Sequence, residues 1–164
     1  MLILGIDPGT ATTGFGLVKI TKETQELVSF GLIETDKNGT QAKRLRNIHL
    51  EMMKLFKKYK PDVMAIEKVF FARNAKTAIR VGQAQGVMLL SAARSKTEVF
   101  EYAPGQIKKI VAGDGRADKK DIQKSVRKVL GARVRSRKRK RTHFDNAADA
   151  LAVALCHAHM VNGV

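Results

Sequence analysis

A short apolar run, Leu2 to Ile6, ends directly in the acidic residue Asp7, and Pro8-Gly9 then turns the chain. A continuous apolar run of this length is typical of a strand that is buried on both faces of a sheet. A carboxylate at the end of such a strand is costly unless hydrogen bonds or a cation compensate its charge. Asp7 is therefore either a simple turn residue or the holder of a metal or polar ligand at the mouth of a sheet.

The same pattern occurs again further along the chain. Asp62 to Ile66 is a second compact apolar run, and it ends in Glu67. In an open α/β sheet, ligands collect outside the carboxyl ends of the strands. Two acids in this position on separate strands favour a shared site for Asp7 and Glu67 over coincidence.

Hydrophobic periodicity and turn residues predict an α/β chain. Further strands are expected at 14–21, 27–35 and 98–103, and helices at 41–59, from Asn74 to Arg94, at 104–112 and at 144–160. A capping box of Asp118 and Asp121 predicts one more helix, whose inward residues should be Ile122, Val126, Val129 and Leu130. With 164 residues the chain is long enough for one domain, which we expect to span 1–164.

The charge of the chain indicates a polyanionic partner. Lys and Arg number 31 against 15 acidic residues, a net charge of +16, and nucleic acid is the simplest partner for such an excess. Residues 104–141 hold 15 of the basic residues against three Asp. In the run from Arg133 to Arg141 seven of nine residues are basic. We interpret Arg137, Arg139 and Arg141 as phosphate contacts rather than merely solvated charges.

Cysteine content and hydropathy indicate the compartment. Cys156 is the only cysteine, which excludes an internal disulfide and fits a reducing cytoplasm. No signal peptide is visible and no apolar run is long enough to span a bilayer. We therefore expect a cytoplasmic protein that has no membrane partner.

Small residues recur every four positions in the helix that follows Asn74, at Ala78, Gly82 and Gly86. Glycine inside a helix costs about 1 kcal/mol relative to alanine. The stripe therefore indicates that another backbone approaches closely. That backbone belongs either to this chain's own sheet or to the same helix of a second subunit.

Oxygen-bearing side chains share one face near the start of the last predicted helix: Asp145, Asn146 and Asp149. Placed beside Asp7 and Glu67, they would form a cluster that a cation must neutralise. Hard oxygen ligands without His or Cys select Mg²⁺, for which Mn²⁺ can substitute. Two such ions about 4 Å apart can promote an in-line phosphoryl displacement. An acidic metal site within a basic surface predicts a nuclease.

Five motifs cover nearly the whole chain: ILGIDPG at 3–9, AIEKVFFARNAKTA at 65–78, GQAQGV at 82–87, FEYAPGQIKK at 100–109 and AADALAVALCHAH at 147–159. Together they resemble the RuvC family of Holliday junction resolvases. The resemblance implies an RNase H-like α/β fold with a five-stranded mixed sheet, three antiparallel strands plus two parallel ones, flanked by helices. It also implies a homodimer that binds four-way DNA junctions and nicks two opposite strands symmetrically in recombination and DNA repair. Two Mg²⁺ ions per subunit and the RuvA–RuvB branch-migration complex are implied as cofactor and further partner.

The resemblance also implies the catalytic residues. Asp7, Glu67 and Asp149 match the family's metal-binding acids, and Lys119 matches a basic residue near the scissile phosphate. Asn146 stands where the family has Asp or His, so it is a catalytic and metal-ligand candidate that lacks the charge. Either Asp145 or His143 compensates, or the protein is a natural or engineered variant with impaired cleavage.

Further matches imply contacts with DNA and with a second subunit. Phe70 matches an aromatic residue that stacks on a base at the opened crossover, and Lys108 matches another DNA contact. Arg73 and Lys76, in the same motif as Phe70, are assigned to DNA as well. The stripe of Ala78, Gly82 and Gly86 matches the family's dimer contact.

Three other functions remain as alternatives. A sugar-kinase or actin-like ATPase also begins with a strand and an Asp-x-Gly turn, but it needs two lobes to enclose a nucleotide. A non-catalytic or catalytically impaired junction-binding or RNA-binding protein on the same fold would be consistent with Asn146. A general RNase H would show no preference for branched DNA.

Overall fold

A computed structural model of the chain describes residues 1–70, 74–131 and 141–162, except for the side chains of 141–146. The strands are β1 (Leu2–Asp7), β2 (Thr12–Ile20), β3 (Gln25–Glu34), β4 (Val63–Glu67) and β5 (Glu98–Tyr102). The helices are α1 (Gln41–Tyr59), α2 (Ala75–Arg94), α3 (Pro104–Ala112), α4 (Lys119–Leu130) and α5 (Arg141–Asn162). In this part of the chain, no helix has the length and apolar character needed to cross a bilayer.

The strands form one sheet in the order β3-β2-β1-β4-β5. The pairs β1–β2 and β2–β3 are antiparallel, whereas β1–β4 and β4–β5 are parallel. The predicted fold class, an RNase H-like sheet of three antiparallel strands plus two parallel ones, is therefore confirmed. Because β1 lies in the middle and is buried, the opening apolar run is the central strand of the sheet.

Most predicted boundaries agree with the structure. Helices α1 and α3 have the predicted limits, and Asn74 caps α2, where its side chain accepts a hydrogen bond from the Lys76 backbone N–H. Strand β2 begins at Thr12 rather than Gly14, since the Thr13 hydroxyl donates to the Gly9 carbonyl and closes the preceding turn early. Strand β3 likewise begins at Gln25, and α5 extends beyond its predicted limits at both ends.

The inward face of α4 differs from the prediction at one position. The capping box of Asp118 and Asp121 is present, and Ile122, Val126 and Leu130, four residues apart, are buried. The prediction for Val129 is wrong, because this side chain is 39% exposed. In the last turn of the helix, Leu130 continues the buried line and Val129 lies beside it.

The two faces of the sheet have separate hydrophobic cores. On one face Ile3, Val18 and Ala65 pack among buried residues of α4 and α5. On the other face Leu4, Leu17 and Ile66 pack among buried residues of α1 and α2. Successive side chains of a strand point to opposite faces, so odd-numbered residues of β1 and β4 face α5 and even-numbered ones face α1 and α2.

Helix α5 packs directly on the centre of the sheet. It is rich in alanine and buried almost all round from Ala147 to Ala158. A Cβ added at Gly5 of β1 would overlap the Ala150 carbonyl oxygen and lie 2.9 Å from the Ala154 Cβ. Only glycine allows the helix to lie this close to β1. The glycine therefore fixes how near α5 comes to the end of that strand.

A buried histidine ties α5 to the edge strand β5. The Tyr102 hydroxyl and His157 Nδ1 are hydrogen bonded at 2.6 Å, and the Phe100 ring centroid lies 4.5 Å from that of the imidazole. Burial lowers the pKa of His157, although Glu98 acts in the opposite direction. The neutral imidazole is therefore the form that the fold favours.

We expect acidification to destabilise the protein through His157. A histidine whose pKa is lowered on folding contributes stability above its unfolded pKa of about 6.5, and this contribution is lost as the pH falls below that value, by at most about 1.4 kcal/mol per pH unit. The free energy of unfolding should be measured in urea from pH 7 to pH 5 for the wild type and His157→Leu. The difference between the two curves should shrink towards acid pH. His159→Gln, at a more exposed position of the same helix, is the control, and a parallel pair of curves for His157→Leu would contradict the assignment.

Candidate active site

Two acidic residues meet where the central parallel strands end. Ile6 of β1 pairs with Ile66 of β4, so Asp7 and Glu67 are the next residues on adjacent strands. Both are odd-numbered and lie on the α5 face of the sheet. Register and alternation together place the two carboxyl groups side by side, and they share a hydrogen bond.

Helices α4 and α5 add one acidic and one basic residue. Asp149 of α5 interacts electrostatically with both Asp7 and Glu67. Lys119 Nζ lies 3.5 Å from Asp149 Oδ2. Lys119 is the first residue of α4, and the reciprocal hydrogen bonds of Asp118 and Asp121 fix the start of that helix. A well-capped helix thus holds the lysine at the carboxylate cluster.

These residues line an open cavity of about 250 Å³. Its polar lining comprises Asp7, Glu67, Asp149, Lys108 and Lys119. Apolar residues form the rest of the wall: Pro104, Ile107, Ile122, Ala152 and Val153. The cavity therefore combines three acids and two lysines, contributed by β1, β4, α3, α4 and α5.

Electrostatics at the cluster favour a proton or a cation. Burial, and then the charges of Glu67 and Asp149, raise the pKa of Asp7 to about 8. Burial also raises the pKa of Glu67, with Asp149 acting in the same direction and Lys108 opposing it. In the metal-free protein at neutral pH, Asp7 thus keeps a proton that it shares with Glu67. The lysines compensate the negative charge only in part.

The chemical type of these side chains suits a divalent cation. Carboxylate oxygens are the ligands that Mg²⁺ and Mn²⁺ prefer, and a cation would relieve the repulsion that keeps Asp7 protonated. Among the side chains that the structure describes, no group of three acidic, histidine or cysteine residues is drawn together tightly enough to hold an ion as it stands. The side chains of Asp145 and Asn146 lie outside that description.

Known proteins are similar to this chain in sequence and in fold. The family model described as Crossover junction endodeoxyribonuclease RuvC matches residues 3–157. The chain belongs to the RuvC family. Crossover junction endodeoxyribonuclease RuvC from Syntrophomonas wolfei is 45% identical over 97% of this chain and 89% of the relative. The protein of the same name from Alkaliphilus oremlandii is 44% identical over 99% of this chain and 95% of the relative.

A solved structure of the RuvC family supports the same conclusion. It is described as T. thermophilus RuvC in complex with Holliday junction substrate, and it is 30% identical in sequence. The similarity covers 99% of this chain and 96% of that one, with a TM-score of 0.87. The arrangement of strands and helices described above is therefore that of the RuvC family.

The other residues predicted to contact DNA do not line the cavity or lie outside the described residues. Phe70 is 59% exposed and lines a neighbouring depression that also includes Glu67 and Pro8. Lys76 is exposed in the first turn of α2 and lines neither cavity. Arg73, Arg137 and Arg139 lie outside the described residues, and so does the side chain of Arg141.

The small-residue stripe of α2 faces away from this chain. A Cβ added at Gly82 or Gly86 would meet no described atom within 4 Å. Ile79 and Leu90, on the same side of the helix, are 63% and 56% exposed. The alternative that the stripe packs on this chain's own sheet is therefore wrong for the two glycines. The exposed apolar side chains beside the glycines are available for contact with another molecule.

Sequence reasoning missed the apolar wall of the cavity. Ile122 was predicted only as an inward residue of its helix and Ile107 was given no role, yet both line the site. Ile122 lies three residues after Lys119, about one helical turn away, so both share one side of α4. Ile107 directly precedes Lys108 in α3. The three-residue spacing of Lys119 and Ile122 in α4 is the signal that could have shown this for Ile122.

Proposed function

We propose that this chain is a structure-selective endodeoxyribonuclease that binds four-way DNA junctions as a homodimer. It nicks two opposite strands symmetrically by metal-dependent phosphodiester hydrolysis, in recombination and DNA repair. The observation that carries the proposal is the convergence of Asp7, Glu67 and Asp149 with Lys119 in one open cavity. Membership of the RuvC family supports it, because the matching relatives are named crossover junction endodeoxyribonucleases.

The carboxylates are proposed to hold divalent ions, Mg²⁺ with Mn²⁺ as a substitute and two per subunit. Asp7, Glu67 and Asp149 would be the ligands, with Asp145 or Asn146 as a further one. When bound, the ions supply positive charge that stabilises the charge developing on the scissile phosphate. Burial, and then the charges of Glu67 and Asp149, raise the pKa of Asp7, and this supports the role because a bound cation would favour the charged carboxylate.

The lysines of the cavity are proposed to seat and orient the phosphate. Lys108 of α3 and Lys119 of α4 line the same cavity, so a phosphate bound there would lie near both. Lys119 also holds Asp149 through the 3.5 Å ion pair, which keeps this carboxylate turned towards the cavity. The apolar wall of Ile107 and Ile122 limits the water around the reacting group and strengthens these charge interactions.

Cleavage of a labelled four-way junction tests the proposal directly. The junction should be cut in the presence of Mg²⁺, and a linear duplex of the same sequence should be cut far less. Without Mg²⁺ the junction should be bound but not cut. Equal cutting of both substrates would contradict the assignment, and so would junction binding without any nicking in the presence of Mg²⁺.

We expect Lys119→Met to reduce junction cleavage by about a hundredfold, the usual cost of removing a charged group that faces the transition state. The methionine keeps the length of the side chain but loses the contact with Asp149 and the phosphate. Single-turnover cleavage rates at saturating Mg²⁺ measure the effect. The neighbouring Lys120→Met is the matched control and should cleave at nearly the wild-type rate. Similar losses in both variants would show that only general positive charge matters.

The homodimer is proposed to form through the stripe of Ala78, Gly82 and Gly86. The exposed glycines with Ile79 and Leu90 beside them support this surface, because exposed apolar patches mark interaction sites. Two sites in a symmetric dimer would act on two opposite strands of one junction.

Gly82→Ala should weaken dimerisation while it stabilises the monomer. In the isolated helix, alanine is favoured over glycine by about 1 kcal/mol, and no described atom of this chain opposes the added methyl group. Analytical ultracentrifugation should show a larger dimer dissociation constant. Gly105→Ala, at another helical glycine with open space around it, is the control and should leave the dimer unchanged. An unaltered dissociation constant for Gly82→Ala would place the interface elsewhere.

The alternative of a non-catalytic or impaired protein finds no support in the comparisons, since both relatives carry the name of an endonuclease. Asn146 is then compatible with cleavage, with Asp145 or His143 as the compensating residue. We further propose a cytoplasmic location, the RuvA–RuvB complex as a partner, and one domain that spans 1–164.

A further inference from the structure

A second surface feature lies at the amino ends of the parallel strands, whereas the catalytic cavity lies at their carboxyl ends. An open groove of about 700 Å³ runs along the second half of α1 and reaches Ser95 after α2. Lys60 lies just before β4, whereas Glu67 is the last residue of that strand. Because Ser95 likewise precedes β5, the groove lies at the amino ends of the parallel strands. The catalytic carboxylates lie at the carboxyl ends.

The groove has an apolar floor and a basic rim. Leu50, 42% exposed, Met53 and Phe56 contribute the apolar part. Lys54, Lys57 and Lys60 form the rim; Lys54 is paired with Glu51 at 2.6 Å. Among the described residues, no ion pair is formed by the ammonium groups of Lys57 or Lys60. Two positive charges therefore remain beside the apolar floor.

One lysine of the groove and another beside it have a left-handed backbone conformation. Lys60, with φ 47°, and Lys96, with φ 55°, are the described non-glycine residues in the left-handed region. Lys60 ends α1 at a position where glycine is the usual residue, because other side chains are disfavoured in this conformation. Lys96 follows Ser95 at the other side of the groove. Lys60 therefore keeps a positive charge at the groove where glycine would be easier for the backbone, whereas Lys96 lies beside the lining residues.

We propose that this groove binds an acidic segment of a partner protein that carries an apolar anchor side chain. The lysines attract the acidic residues, and Leu50 with Met53 accepts the anchor. A second copy of this chain is a poor occupant, because it has 15 acidic residues against 31 basic ones to offer to the lysine rim, and the proposed dimer surface is the stripe of α2. DNA is also a poor occupant, since a phosphate backbone offers nothing to the apolar floor, and the groove lies away from the cavity.

Peptide binding to the full-length chain tests the proposal. The probe is a short fluorescein-labelled peptide of aspartate and glycine with one phenylalanine, and its anisotropy gives the dissociation constant. A neutral peptide with asparagine in place of aspartate, and an acidic one without phenylalanine, should each bind at least about tenfold more weakly. Equal binding of the three peptides would overturn the proposal.

Variants locate the binding surface. Lys57→Glu and Leu50→Ser should each weaken binding of the acidic peptide about tenfold, while junction cleavage stays unchanged. Lys43→Glu, at the other end of α1, is the charge-matched control and should change the affinity less than about twofold. If it weakens binding as much as Lys57→Glu does, the attraction is nonspecific and the groove is not the site.

Lys60→Gly separates strain from function. Glycine relieves the left-handed backbone, so the melting temperature should rise, whereas loss of the ammonium group should weaken peptide binding. A rise in the melting temperature together with tighter peptide binding would overturn the proposal. Loss of junction binding with unchanged peptide affinity would overturn it as well. The second result would assign the groove to DNA.

Discussion

Asp7→Asn should abolish junction cleavage and, at the same time, stabilise the metal-free protein. If Asp7 holds the proposed ions, its removal should cost several kcal/mol of transition-state stabilisation, about a thousandfold or more in rate. The stabilisation follows from the pKa of Asp7, which is raised to about 8. The folded state then binds more protons than the unfolded state between about pH 4 and pH 8, so wild-type stability falls as the pH rises through this range. Asparagine does not titrate in this range, so the stability of the variant does not fall in this way as the pH rises.

Thermal unfolding in EDTA measures the stability effect. At pH 8 the variant should be more stable than the wild type by on the order of 1–3 kcal/mol, and at pH 5 the two should be nearly equal. Added Mg²⁺ should raise the melting temperature of the wild type but not of Asp7→Asn, because only a bound ion stabilises the fold. Glu23→Gln, which removes an exposed acid, is the control. Residual cleavage above about a tenth of the wild-type rate would exclude Asp7 as a ligand.

Gly5→Ala should have the largest effect on folding. The added methyl group would overlap the Ala150 carbonyl oxygen and crowd the Ala154 backbone N, which lies 2.8 Å from the Cβ position. Backbone atoms cannot rotate away, so α5 must move off β1, at a cost of about 3 kcal/mol or more. Urea unfolding measures the loss. Cleavage should fall as well, because α5 carries Asp149.

The matched control for this effect is Gly105→Ala. A Cβ at Gly105 meets no described atom within 4 Å, so the substitution should leave the free energy of unfolding unchanged or slightly higher. If Gly5→Ala unfolds at the same urea concentration as the wild type, then α5 does not press on β1 as the structure shows.

The acidic pair of the site was predictable because its signals are local. Each acid directly follows an apolar strand, and the parallel register of Ile6 and Ile66 brings Asp7 and Glu67 together as expected. The ion pair of Lys119 with Asp149 depends on how α4 and α5 pack against each other. No sequence spacing specifies that distance, so only the resemblance could suggest it.

Other features were beyond sequence reasoning for different reasons. The close approach of α5 depends on the three-dimensional alignment of Gly5 with Ala150, which are far apart in the chain. The exposure of Val129 is set by the last turn of α4 rather than by the periodicity. The left-handed conformation of Lys60 at the groove has no sequence signal, because glycine rather than lysine is the residue that predicts it.

The alternation of side chains along β1 limits which insertions and deletions the strand can tolerate. One residue inserted within this strand would turn Asp7 towards α1 and α2, and it would also exchange the residues of the two cores. Two inserted residues would keep the facing of every later side chain. Insertions or deletions in β1 and β4 should therefore be tolerated only when they change the strand by an even number of residues, because Asp7 and Glu67 must stay on the α5 face.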